Sequence, residues 1–310
     1  MDEAAPNGPP PAAARNLLLV AQWDGTDFAG WQHQPNQRTV QSTLTTALET
    51  MVHHPVDLFA SSRTDSGVHA RAMPIAFVTT RPIPPENFLK GLSTLLPNDL
   101  SVLEVREVPL AWRPRDQAVA KTYTYRLQLG ARRPLHARAA WWLGWRRVDL
   151  DRMRAGAAHF LGEHDFSAFR SAHCDSRSTT RRMYRIDVSE PDADEVVAIE
   201  VTGNAFLRNM VRIMIGTLVD VAFGRREPAW VAERLSQGDR TLSGQTAPAH
   251  GLTLTTVHFE GYPRLGKVPP PPSEGARVAF RKAGEAKPSR SEERDTSLAP
   301  RSEVMGDEGE

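Results

Sequence analysis

The chain has 310 residues, a single cysteine and a formal net charge of +1. One cysteine cannot close an internal disulfide or build a thiolate metal cluster, and no apolar run approaches the ~20 residues of a membrane helix. With no basic-then-apolar segment at the N-terminus either, composition predicts a soluble, cytoplasmic protein.

Residues 1–14 hold Ala and Pro with hardly any large apolar side chain, and residues 264–310 are rich in Pro, Ser, Glu, Arg and Gly. Neither stretch can bury enough apolar surface to offset chain entropy, so both are expected to be disordered tails. About 250 residues remain, enough for two half-domains. Residues 17–23 form a strand candidate that ends on the turn signal Asp24-Gly25. Thr39 is placed to cap a helix whose apolar positions are Val40, Leu44, Ala47, Leu48 and Met51. Strands are expected near 56–62 and 72–79, then a helix over 85–95 that stops at Pro97, then a strand over 100–108. Pro109 to Pro114 break the pattern and mark a boundary between an N-terminal half (15–110) and a C-terminal half (111–263).

The second half repeats the first in outline. A strand over 118–129 alternates around Tyr123 and Tyr125, a helix covers 149–161, and strands follow at 182–189 and 195–203. A helix over 207–223, a short helix over 227–235 and a last strand over 252–259 complete it. Two such halves predict an α+β protein: two ferredoxin-like α/β half-domains forming a mixed, mostly antiparallel sheet with helices on one face.

Ser62 to Ala70 is the stretch of greatest chemical interest. It places a lone carboxylate, Asp65, on a turn between two strands, with Arg63 before it and His69 after it. Loops held by a rigid scaffold are where chemistry usually sits. Three roles compete. Asp65-Ser66-Gly67 is the aspartic-protease tripeptide, but that chemistry needs two carboxylates sharing a proton, and a neighbouring arginine works against sharing. Asp65 could instead be an Asx-turn residue facing its own backbone. The third role is an ionised carboxylate in a basic nucleic-acid cleft.

The charge distribution bears on that third role. Between Trp112 and Arg147 nine basic residues face one acid, Asp116, and between Ser167 and Ile186 five arginines face one aspartate. Arginine dominates and aromatics interleave, a pattern that favours RNA, because guanidinium binds phosphate through two parallel bonds and stacks on bases. The stretch from Arg208 to Phe223 is apolar nearly all round, yet carries Arg208 and Arg212 four apart on one face. A buried guanidinium needs an anion. Either both arginines reach solvent, or Arg212 pairs with an acid from elsewhere, for which Asp65 is the candidate.

The motifs also carry a family resemblance. Asp24-Gly25 is followed by Gly30-Trp31-Gln32 and Thr39-Val40-Gln41. Arg63-Thr64-Asp65 runs into Gly67-Val68-His69-Ala70. Lys121 to Tyr125, Asp165-Phe166-Ser167 with Phe169-Arg170 and Cys174, Gly203 to Leu207 leading into Met210-Val211-Arg212 and Gly216, and Ala247 to Leu252 complete the set. In this order, from about Leu17 to Tyr262, the chain resembles the tRNA pseudouridine synthase A family. The resemblance implies isomerisation of uridine to pseudouridine in the tRNA anticodon stem-loop, at tRNA positions 38 to 40. It implies that Asp65 is catalytic, that Tyr123 packs on the target base and that Arg212 pairs with the carboxylate. Arg63 matches the arginine implicated in flipping the nucleotide, and Arg115, Lys121, Arg170 and Arg208 are further candidates for RNA contact. It also implies no metal, no organic cofactor, and a homodimer whose basic clefts are lined by both subunits. Trp23, Ser93, Asp116 and the polar Thr253 and Thr255 depart from the family pattern. The alternatives are an RNA-binding protein on the same scaffold without catalysis, and a synthase with other target uridines.

Overall fold

A computed structural model describes residues 13–131, 138–172, 174 and 176–260. The expected tails lie outside the described residues except for Ala13 and Ala14, as do Arg132 and Arg133 of the basic stretch. In chain order the elements are β1 (Arg15–Trp23), α1 (Val40–Val52), β2 (Phe59–Ala60), β3 (His69–Thr79), α2 (Pro85–Leu95), β4 (Leu100–Val108), α3 (Pro114–Gln117) and β5 (Ala118–Gln128). They continue with β6 (Trp141–Trp142), α4 (Leu150–Ala158), β7 (Gly162–Asp165), β8 (Thr180–Val188), β9 (Val196–Gly203), α5 (Met210–Ala222), α6 (Trp230–Gln237) and β10 (Leu252–Phe259).

All ten strands join one sheet, ordered β4-β1-β3-β10-β5-β9-β8-β7, with β2 on β3 and β6 on β5. The order β4-β1-β3-β2 in the first half matches β10-β5-β9-β8 in the second. Each half is therefore a β-α-β-β-α-β unit with the same strand order, which is the ferredoxin-like duplication expected. Every pairing is antiparallel except β5 with β6 and β10 with β3. The latter spans only Thr253↔His69 and Leu254↔Ala70, and it is the seam between the halves. Within each half the two crossover helices lie side by side, α1 on α2 and α4 on α5.

Local sequence explains the elements. β1 is paired on both edges, by β3 and β4, and the unbroken apolar run Leu17 to Ala21 is buried at every position, so both faces of the strand are covered there. Thr39 caps α1: its hydroxyl accepts from the N–H of Ser42 while Ser42 reaches back to the Thr39 N–H. α2 starts on Pro85, and Phe88 meets Phe77 of β3 edge-on at 5.6 Å. α5 is apolar all round because α4 covers it on one side and the sheet core on another.

Three expectations change. The strand near 56–62 shrinks to Phe59–Ala60, and β3 begins at His69 instead of 72. β10 takes the edge of β3 at His69 and Ala70, so β2 pairs only with Ala76 and Ile75 beyond it. The helix expected from 207 starts at Met210, because Asn209 adopts a left-handed backbone (φ 62°) that ends the preceding turn. Arg208 therefore precedes α5 and does not lie on it.

Close approach fixes α5 against the segment that follows α6. A Cβ on Gly216 would lie 1.8 Å from the Gln245 carbonyl oxygen, and one on Gly244 would lie 2.5 Å from the Thr217 backbone nitrogen. Both neighbours are backbone and cannot swing away. Gly216→Ala is expected to lower stability by about 1–3 kcal/mol, as overpacking does. An unchanged urea-unfolding midpoint would refute this account of the contact.

Candidate active site

The loop from Ser61 to Val68 lies at the seam, immediately before β3. Its backbone is pinned by the segment after β1: the Trp31 N–H donates to the Thr64 carbonyl (3.1 Å), and the Gly67 N–H donates to the Phe28 carbonyl (3.2 Å). Gly30, at φ 92°, presses against this loop so closely that a Cβ would meet the Thr64 oxygen at 2.7 Å. Gly25 does the same at the Val68 oxygen, at 2.3 Å. His69 closes the arrangement. Its Nδ1 accepts from the Gly25 N–H (3.0 Å) and its Nε2 donates to the His250 carbonyl (3.0 Å), which sets the tautomer and ties three loops together.

Asp65 does not make the Asx-turn bond considered from sequence. Among the described residues its carboxylate has no hydrogen bond, whereas Asp24, Asp165 and Asp239 each accept from the backbone two residues on. It faces two guanidiniums instead: Arg208 Nε lies 3.8 Å from one carboxylate oxygen, and an Arg212 terminal nitrogen lies 4.0 Å from the other. Arg212 is held from behind. Its Nε donates to the Ala247 carbonyl (2.7 Å) and its Nη1 donates to the Asn209 side chain (2.9 Å). Burial lowers the Arg212 pKa, and Asp65 opposes that shift. The Arg208 side chain is 56% exposed against 17% for Arg212, so the two arginines differ in access to solvent.

Tyr123 lies on β5 with its ring edge-on to Phe206 at 5.0 Å and its hydroxyl 3.0 Å from the Ser62 hydroxyl. Burial pushes its phenol up to about 12, with Ser62 opposing and the Asp65 charge adding to the rise. Two residues back on the same strand face, Lys121 donates from Nζ to the Ser61 carbonyl (2.8 Å). Lys121 and Tyr123 together grip two consecutive residues of the Asp65 loop, clipping the second half onto the first.

The site thus brings together Asp65, Arg208, Arg212 and Tyr123. Arg63 and Arg115 are exposed and Arg170 is half-buried. Arg170 lies near the Asp165 carboxylate, and the next residue, Ser171, donates its N–H to the Arg208 carbonyl (3.1 Å). Lys121 points inward, towards the loop backbone. Sequence reasoning missed Ser61, Ser62, Phe206 and Asn209. The alternation of β5 shows that Lys121 and Tyr123 share a face, but no local pattern identifies what they touch. Among the described residues no cluster of three or more His, Cys, Asp or Glu could hold a metal ion, and no helix is long and apolar enough to cross a membrane.

Burial, aided by Arg115 and Arg181, pushes the Lys121 ammonium down to about 8. A lysine lowered on folding binds its proton more weakly in the native state than in the unfolded chain. Its contribution to stability therefore grows as pH rises from about 8 to the ordinary lysine value near 10.4. Urea midpoints measured across that window are expected to climb in the wild type relative to Lys121→Met. Parallel curves for the two proteins would show that this ammonium is not displaced.

A family model described as tRNA pseudouridine synthase matches residues 19–115 and 157–260, taking in parts of both halves with Asp65, Arg208 and Arg212, while Lys121 and Tyr123 lie between the two matched stretches. The chain is 43% identical over 245 residues to a tRNA pseudouridine synthase A of Geotalea uraniireducens, covering 79% of this chain and 100% of that one. A protein of the same name from Geobacter sulfurreducens is 42% identical over 245 residues, with coverage of 79% and 100%. The Myxococcus xanthus protein of that name is 39% identical over 247 residues, covering 80% and 93%. Among solved structures, an archaeal box H/ACA sRNP Nop10-Cbf5 complex aligns over 80% of this chain and 51% of that one, with 13% identity and a TM-score of 0.32, too low to add to the assignment. On the family model and on relatives matched over nearly their whole length, this chain belongs to the tRNA pseudouridine synthase A family.

Proposed function

We propose that the chain isomerises uridine to pseudouridine in tRNA, in the anticodon stem-loop at positions 38 to 40, with Asp65 as the reacting carboxylate. One observation carries this reading. Asp65 presents a carboxylate without hydrogen bonds, faced by two guanidiniums near 4 Å, on a pinned loop beside Tyr123. An acid kept only to stabilise a loop would be expected to spend its oxygens on nearby N–H groups.

The reaction breaks the C1′–N1 bond, turns the detached uracil and joins C1′ to C5, so it needs neither an oxidant nor a group donor. On a covalent route the carboxylate bonds to C1′ as N1 leaves with the bonding pair, and C5 then displaces the carboxylate. On a glycal route the carboxylate takes the C2′ proton as N1 leaves with the bonding pair, and it returns that proton to C2′ as C5 bonds to C1′. Arg212, fixed by Ala247 and Asn209, orients the carboxylate in either case, and the more exposed Arg208 lies where RNA can reach it. The target base must leave its stack, which costs a few kcal/mol. Stacking on an aromatic face such as Tyr123 returns about 1–3 kcal/mol. In the last step the C5 proton is lost and N1 gains one. Burial keeps Tyr123 a phenol at neutral pH. Its oxygen takes the C5 proton as its own passes to Ser62 and on to solvent. Arg63, Arg115 and Arg170 contact the RNA, and Lys121 holds the loop that presents Asp65. Family likeness supports a cytoplasmic homodimer with tRNA held by both subunits.

The test is base-by-base mapping of pseudouridine in unmodified tRNA transcripts. Asp65→Asn is expected to reduce turnover by more than about 10⁴-fold, as loss of a reacting group does, while tRNA binding persists. Equal activity from the variant would overturn the role of Asp65. Tyr123→Phe is expected to slow turnover by about 10²–10⁴-fold, the usual worth of a positioned proton-transfer group. Full turnover from it would remove the proton relay and leave only the stacking surface.

A further inference from the structure

The sheet has a second face at the end from which the Asp65 loop projects, and that face carries charge the isomerisation does not use. His69 and Arg71 of β3 lie on one face by alternation, and so do Thr124 and Arg126 of β5, opposite to Tyr123 and Tyr125. Thr253 of β10 pairs with His69 on one side and with Thr124 on the other, so all five share the face turned away from Tyr123. A cleft of about 330 Å³ opens there, lined among others by Arg71, Arg126, Thr253 and His69, with Asp24 and Asp99 also on its lining.

The two acids are already engaged. Asp99 binds both terminal nitrogens of Arg38 at 2.7 Å, and Asp24 accepts from the N–H (3.0 Å) and hydroxyl (2.6 Å) of Thr26. The two arginines are not: among the described residues neither makes a hydrogen bond or an ion pair. Arg126 is half-buried, and both burial and the nearby Arg71 weaken its hold on a proton, with Asp192 and Glu200 opposing. Two guanidiniums on the lining of one cleft, one of them half-buried, and neither with a hydrogen-bond or ion-pair partner among the described residues, suit an anion.

We propose that this cleft binds phosphodiester groups of the tRNA backbone, on the far side of the Asp65 loop from the reacting base. The proposal rests on the tRNA reading above. Guanidinium matches phosphate through paired donors, and one polyanion crossing the strand ends reaches both faces. Thr253, unexpectedly polar for this strand, adds a hydroxyl-bearing residue to the lining.

The experiment measures binding of an unmodified tRNA transcript to the full-length protein over a series of salt concentrations, with and without Arg71→Gln plus Arg126→Gln. The double variant is expected to bind about tenfold more weakly, and the slope of log affinity against log salt is expected to shrink by about 1.5, near the 0.7–0.9 of each lost phosphate contact. At saturating tRNA its kcat stays at the wild-type value while KM rises. Arg71→Lys plus Arg126→Lys keeps the charge and recovers most of the slope, which separates phosphate binding from damage to the fold. Unchanged affinity and slope, with wild type binding and modifying tRNA normally, overturns this site alone. A weakened double variant that has also changed its oligomeric state overturns it in favour of contact between copies. If the wild type neither binds nor modifies tRNA, the functional reading falls, and this site falls with it.

Discussion

Two residue pairs of parallel ladder, Thr253↔His69 and Leu254↔Ala70, decide where everything else in this protein lies. Each half could complete its own four-stranded order without the other. The seam makes one sheet of them and brings the loop before β3 against β5, the start of α5 and the turn before β10. So short a ladder is weak by itself, and the side chains across it supply the rest. His69 reaches the His250 carbonyl, Lys121 the Ser61 carbonyl, Tyr123 the Ser62 hydroxyl, and Arg212 both the Ala247 carbonyl and the Asp65 carboxylate. Most of these bonds end on backbone, so they hold the loop in place while leaving the Asp65 carboxylate free of hydrogen bonds and faced only by guanidiniums.

That division of labour explains the glycines of the segment after β1. Gly25 and Gly30 let one backbone lie directly on another, so the Asp65 loop is stiffened by main-chain contact. The carboxylate then needs no local hydrogen bond to stay in position. Its environment is set instead by two cations of unequal exposure, one braced from behind and one open to solvent. A site that must admit a nucleotide and still hold its reacting group benefits from the braced arginine, which preserves the geometry around the carboxylate.

Much of the architecture was legible in the residues. The capped periodicity of α1, the proline-started α2, the unbroken apolar run of β1 and the all-round apolar α5 each follow from local rules, and the repeated element order foretold the duplication. The errors cluster at the seam. The strand expected over 56–62 is cut to two residues, and β3 is extended back to His69, because β10 competes for the same edge. The start of α5 moved to Met210 because Asn209 takes a left-handed backbone, a conformation that its side chain permits but does not require. The short β6 and β7 exist only because a neighbouring strand offers them a ladder.

The sequence by itself determined the fold class, the family motifs and the suspicion that Asp65 and Arg212 belong together, since an arginine on an apolar stretch and an acid on a turn each lack a local partner. It could not determine that Arg208 joins them from outside the helix, that Ser62 meets the Tyr123 hydroxyl, or that Lys121 faces the loop backbone. Nor could it show that Arg71 and Arg126 line one cleft. Those juxtapositions join residues 55 to 143 positions apart, and such pairs have no periodicity to read. They come into being only when the two halves share a sheet, and their register is set by the strand that closes it.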